Sequence, residues 1–296
     1  MSKSRTAIAH GAQRAQACSV HALPVRALLV WLVLCVAAAL GACTSTTQVV
    51  TPAAQGAAAL PADRRNPDDP AEVERRARLR LELAGMYFGR GQSSTALDEL
   101  KAALAAKPDL PEAWGLRGLI LASMGDARGA EDSFQRGLQM RPGDADLLHN
   151  YGWFLCQQRR YDEADTQFRA ALAQPQYRET TRTLLAQGVC QARAGRWPEA
   201  EATLVRSYEL DPSNPAIAYN LAEVLLRRGE LERARFYVGR INAIPEQVTA
   251  QSLWLAARIE HRMGNAETVA SLGRRLRDRF PQSTETLQFE RGRFDD

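Results

Sequence analysis

Histidine is scarce in this chain, four in 296 residues. Only His149 and His261 lie beyond the first 42 positions, far apart in sequence. That excludes a histidine-built metal cluster and argues against a Ser/His/Asp triad. The sequence also lacks a GxxxxGK[ST] loop, a GxGxxG after a strand and an HExxH pair, so the common phosphate, dinucleotide and zinc-protease chemistries have no foothold. Acidic residues are absent from positions 1–42, which carry Lys3, Arg5, Arg14 and Arg26. Without those four, the 38 basic and 34 acidic residues of the whole chain balance, and the net charge of +4 vanishes. The basic character therefore belongs to the leader, and no nucleic-acid footprint remains.

The leader has a purpose of its own. A basic segment ending at Arg26 precedes ALLVWLVLCVAAALGA, an apolar run too short for a comfortable membrane span and suited to a secretory signal over residues 1–42. The run ends in Leu40-Gly41-Ala42-Cys43, and LGAC resembles the lipobox of bacterial lipoproteins. That resemblance implies cleavage before Cys43, a diacylglycerol on its thiol and an acylated amino group. Each buried methylene contributes about 0.8 kcal/mol, so several chains together anchor a domain durably. The alternative is an unmodified cysteine in an ordinary signal peptide. Thr44 follows, where an aspartate would by resemblance favour the inner membrane, so the periplasmic face of the outer membrane is the expected address. Residues 43–70 are rich in Ala, Thr, Gln and Pro without apolar periodicity and are expected to form a flexible tether.

Beyond the tether the chain repeats itself. Windows of 34 residues start at Ala77, Pro111 and Ala145, then, after slips of two residues and one, at Thr181, Pro215 and Ala250. The eighth position is always small: Ala84, Gly118, Gly152, Gly188, Ala222, Ala257. The fifteenth is Gly91, Gly125, Arg159, Gly195, Gly229 and Gly264, and the twentieth is alanine from Ala96 to Ala234 until Val269 replaces it. A proline falls at or one before the thirty-second position each time, from Pro108 to Pro281. This is the tetratricopeptide pattern. Small residues let helices A and B of a repeat cross closely, glycine allows a left-handed exit from helix A, and proline closes helix B. The expected fold is all-α, a right-handed superhelical solenoid of six tetratricopeptide repeats over residues 71–283, with a capping segment and disordered acidic tip at 284–296.

Two cysteines survive beyond Cys43. Cys156 and Cys190 lie on helix A of repeats three and four, which pack side by side, and an oxidising periplasm would join them if their Cα atoms come within about 7 Å. Their twelfth and tenth positions leave a half-turn offset, so two buried free thiols remain the alternative. Asp162, Glu163 and Asp165 cluster at the start of a helix B, where they suit the helix dipole.

In this repeat class positions two, five, nine, twelve and thirteen of helix A face the concave side. Here they include Leu81, Phe88, Leu119, His149, Trp153, Gln157, Tyr219, Glu223 and Arg227. An apolar trough of this kind suits an amphipathic helix or extended peptide from a partner. The alternative is that some of these side chains only pack against neighbours or cap the solenoid.

The stretch LHNYGWFLCQQRRYDEADTQFRAALAQPQY (148–177), followed by GVCQARAGRWPEAEATL and SLWLAARIEHRMGN, resembles the type IV pilus biogenesis and stability lipoproteins of the PilF/PilW family. NYGWFLC with a matching second cysteine is its most specific part; the long leader and Val269 depart from the pattern. The resemblance implies a pilotin, a non-catalytic scaffold that binds the outer-membrane secretin subunit and promotes its localisation and ring assembly. No metal, cofactor beyond the lipid on Cys43, small-molecule substrate or nucleic acid is expected. Two other classes stay open: a periplasmic repeat lipoprotein serving another outer-membrane or cell-wall machine, and an enzyme whose active residues do not form a familiar motif.

Overall fold

The computed structural model describes residues 69–294. The expected signal sequence, Cys43 and nearly all of the expected tether lie outside the described residues.

Thirteen helices fill the described chain, and no strand occurs among the described residues. They run α1 Pro70–Gly89, α2 Ser93–Ala106, α3 Pro111–Ser123, α4 Ala127–Met140, α5 Ala145–Gln157, α6 Tyr161–Leu172 and α7 Thr180–Arg193. Then follow α8 Trp197–Leu210, α9 Pro215–Arg228, α10 Leu231–Asn242, α11 Ala250–Arg262, α12 Ala266–Arg279 and α13 Thr284–Glu290. Consecutive pairs from α1/α2 to α11/α12 form six repeats, and α13 closes the array.

Local chemistry sets many of the helix starts. Asp126, Asp144 and Ser283 each accept a hydrogen bond from the backbone N–H three residues on, and Thr249 and Ser252 cap each other reciprocally. Prolines occupy the first helical turn at Pro70, Pro111, Pro198 and Pro215, where the missing N–H costs nothing. The first helix is longer than the repeat pattern requires. It starts at Pro70 under an Asp69 cap, seven residues ahead of the first window, and Arg75–Glu72 and Arg78–Glu74 pairs line its early turns.

The close crossing of helices A and B has the cause that the spacing suggested. Ala84, Ala96, Ala130, Ala164, Ala200, Ala222, Ala234 and Ala257 are fully buried. A Cβ on Gly152 would stand 3.0 Å from the Phe168 ring, and one on Gly118 would stand 2.8 Å from the Phe134 ring. Glycine in one helix therefore makes room for phenylalanine in the other. Three apolar clusters carry the core along the array, one centred on Leu100 and Ile120, a second on Phe134, Phe154 and Phe168, and a third running from Leu204 to Leu276.

The turn between helices A and B is left-handed in every repeat, with φ of 75–83° at Gly91, Gly125, Gly195, Gly229 and Gly264 and 61° at Arg159. Val269, the departure at the twentieth position, is half-buried where its five alanine counterparts are fully enclosed. It lines a cavity of about 620 Å³ at the end of the solenoid, together with His261, Ala266, Ala270, Arg274 and Phe289. The seventh helix A is only seven residues long and leaves that space open.

Candidate functional site: the concave groove

Successive A helices α1, α3, α5, α7, α9 and α11 present their groove-facing positions side by side. The first two supply an apolar stretch. Leu81 and Phe88 are half-buried against the first cluster beside Tyr87, Leu97, Leu104 and Leu116. Leu119 is half-buried against the second cluster.

Repeats three and four are joined across the groove by side-chain bonds between their A helices. His149 is 8% exposed, with its Nδ1 2.8 Å from the Thr183 hydroxyl, which also lies 2.6 Å from the Tyr177 hydroxyl. Burial first, and then the neighbouring Arg182 charge, lower its pKa to about 4. His149 thus packs between two A helices and offers little surface to a partner. Trp153 is half-buried, and the Arg193 guanidinium stands 5.0 Å from its ring centroid, a cation–π pair between neighbouring A helices. Gln157 is exposed.

Cys156 and Cys190 are joined by a disulfide with Cα atoms 5.8 Å apart. The half-turn offset between their positions has a geometric answer. Neighbouring A helices here meet with a two-position stagger, so fifth-position His149 meets third-position Thr183, and twelfth-position Cys156 meets tenth-position Cys190. The acidic residues at the start of α6 are structural in their contacts. Asp162 pairs with Arg196, Glu163 with Arg160, and Asp165 accepts hydrogen bonds from Gln187 and Gln191.

Repeats five and six change the character of the groove from apolar to charged. Tyr219 is half-buried beside a cavity of about 370 Å³ that Asn220, Gln251 and Ser252 also line. Burial, and then the Glu223 carboxylate, push its hydroxyl up to about 12. Glu223 accepts a 3.3 Å hydrogen bond from Arg258 and lies 3.9 Å from Arg227, while its second carboxylate oxygen is buried without a hydrogen-bond partner. Arg193, Arg227 and Arg262 occupy the thirteenth positions of repeats four to six, and Arg227 and Arg258 flank the Glu223 carboxylate.

Two surfaces escaped the sequence reading. The first is on α1, where Leu79, Leu83 and Met86 are 48%, 39% and 52% exposed and form a stripe at spacings of four and three. The spacing itself was the available signal. The second is at repeat six, where the C-terminal residues fold onto Trp254, Arg258 and His261. Among the described residues no group of three or more His, Cys, Asp or Glu could hold a metal ion, and no helix is long and apolar enough to cross a membrane.

Fold and groove define a tetratricopeptide-repeat scaffold, and tetratricopeptide repeat families match residues 81–145, 152–215, 133–166 and 191–259. The crystal structure of PilW, described as a widely conserved type IV pilus biogenesis factor, superposes with a TM-score of 0.68 at 30% identity and covers 72% of this chain and 97% of that one. The type IV pilus assembly protein PilF of Pseudomonas aeruginosa is 26% identical over 210 residues, 71% of this chain and 83% of PilF. The solved P. aeruginosa PilF structure shares the fold, with a TM-score of 0.64 at 24% identity over 74% of this chain and 99% of that one. The chain belongs to the PilF/PilW family of tetratricopeptide-repeat proteins of type IV pilus biogenesis.

Proposed function

We propose that this protein is an outer-membrane lipoprotein, acylated at Cys43, that binds the secretin subunit of the type IV pilus system and promotes its localisation and multimerisation without catalysing a reaction. The observation that carries this reading is the 30% identity to PilW across 72% of the chain, including the repeats that build the groove. Three physical features support it. LGAC resembles a lipobox, residues 44–68 have a composition suited to a tether, and the groove begins with the apolar side chains Leu81, Phe88 and Leu119. Anchor and groove on one chain raise the local concentration of a bound client at the membrane, which is sufficient for a chaperoning role.

Deleting the gene tests the reading. Loss of SDS-resistant secretin multimers and surface pili is expected, with recovery by the wild-type gene; multimers and pili that persist unchanged in the deletion strain would sink it. Cys43→Ser separates anchor from groove. It should abolish palmitate labelling and move the protein to soluble periplasmic fractions, and labelling that survives removes the lipid from the account.

A further inference from the structure

The C-terminal residues do more than end the array. After the short α13, Gly292 adopts a left-handed φ of 65° and turns the chain back, so Phe294 lies over repeat six instead of continuing a helix. Its ring stacks on His261 with centroids 4.2 Å apart and an interplanar angle of 16°, and meets Trp254 at 5.1 Å. Its backbone carbonyl accepts a hydrogen bond from Arg258 Nε at 3.3 Å. Trp254, Arg258 and His261 are the fifth, ninth and twelfth positions of α11, three of the positions that the repeat pattern assigns to the concave side. An aromatic side chain and a main-chain carbonyl are thus held against three such side chains of α11.

We propose that the groove at repeat six is a peptide-binding subsite for an aromatic residue, and that the turn after α13 bearing Phe294 is its resident, displaceable ligand. The subsite stands on these contacts alone and does not depend on which client the apolar end of the groove receives. A partner segment with the same chemistry competes with the tail. The tail, tethered at high effective concentration, sets the affinity such a segment must reach.

The test uses the full chain and a fluorescein-labelled peptide of sequence GRFDD, which copies residues 292–296. By fluorescence anisotropy, Phe294→Ala should bind it at least about ten-fold more tightly than wild type, because the resident ring no longer competes. GRADD should bind the same variant much more weakly. A folded Phe294→Ala protein that binds GRFDD no better than wild type overturns the proposal, as does equal binding of GRADD. The wild-type chain gives a second readout free of any folding defect in the variant. Millimolar GRFDD should accelerate amide exchange at Gly292–Phe294 as the tail is displaced, and unchanged exchange there also overturns the proposal.

Discussion

Repeats three and six share one framework and close it in opposite ways. At the twenty-fourth position repeat three has Phe168, fully buried against Gly152, whereas repeat six has Gly273, into whose space the Phe289 ring of α13 inserts so closely that a Cβ would collide with it. At the fifth position His149 bonds Thr183 of the next repeat, while Trp254 meets Phe289 and Phe294. At the twelfth Cys156 is bonded covalently to the next repeat, while His261 stacks on Phe294. An interior repeat is sealed by its neighbour. Repeat six is sealed by aromatic rings from α13 and the turn after it, a closure without a covalent bond.

The largest contrast should appear when each plug is removed. Phe168→Ala empties a fully enclosed site and should cost about 3–5 kcal/mol in denaturant unfolding. Phe289→Ala removes a half-buried ring and should cost only about 1–2 kcal/mol, with faster amide exchange concentrated in α13. Equal losses from the two changes would mean that the cap is as integral to the solenoid as an interior helix.

How much of this contrast the sequence displayed depends on whether its cause is local. The eighth, fifteenth and twentieth positions are set by backbone crossing and turn geometry, so Gly152 or Ala164 announces its role from spacing alone. The fate of a groove-position side chain depends on the helix beside it. The fifth-position rule places His149 in the groove, and the stagger that buries it under Thr183 is a relation between two helices, invisible in either. The same stagger pairs Cys156 with Cys190 across an apparent half-turn mismatch. Phe294 was hidden for a similar reason, because the stop of α13 was legible but the direction of the chain after Gly292 was not. The α1 stripe of Leu79, Leu83 and Met86 was readable from spacing, and the repeat frame drew attention away from it.

The covalent seal comes next in size. The disulfide closes a loop with a sequence separation of 34, which corresponds to about 3–4 kcal/mol in the chain-entropy account. Cys156→Ala with Cys190→Ala should lower the unfolding free energy by that order, and dithiothreitol should lower the wild-type melting temperature but leave the double variant unmoved. A reductant response that survives the double variant would place the effect elsewhere.

The fifth position also predicts a difference in pH response. Buried and beside Arg182, His149 titrates at about 4 instead of its ordinary 6.5, so the unfolded chain takes up a proton before the folded one does. Its contribution is complete above pH 6.5 and is lost as pH falls from there towards 4, on the order of 3 kcal/mol in all. His149→Gln should flatten the stability profile across that window. Trp254, in the matching place of repeat six, has no proton to exchange, so substitutions there should lower stability without changing the slope.

The smallest effect concerns the fifteenth position, where Arg159 stands at φ 61° and Gly264 at 79°. A side chain in the left-handed region is strained by roughly 1 kcal/mol, and glycine relieves that strain but gives the unfolded chain more freedom. The net for Arg159→Gly is a gain of about 0.5 kcal/mol, because no ion pair of Arg159 offsets the relief: the neighbouring Arg160 makes the bridges to Glu131 and Glu163. Gly264→Arg in repeat six should lose a similar amount by the reverse path. Matched changes of opposite sign would show that the turn imposes one backbone cost throughout the array, whereas a loss in both variants would mean that the Arg159 side chain contributes a contact worth more than its strain.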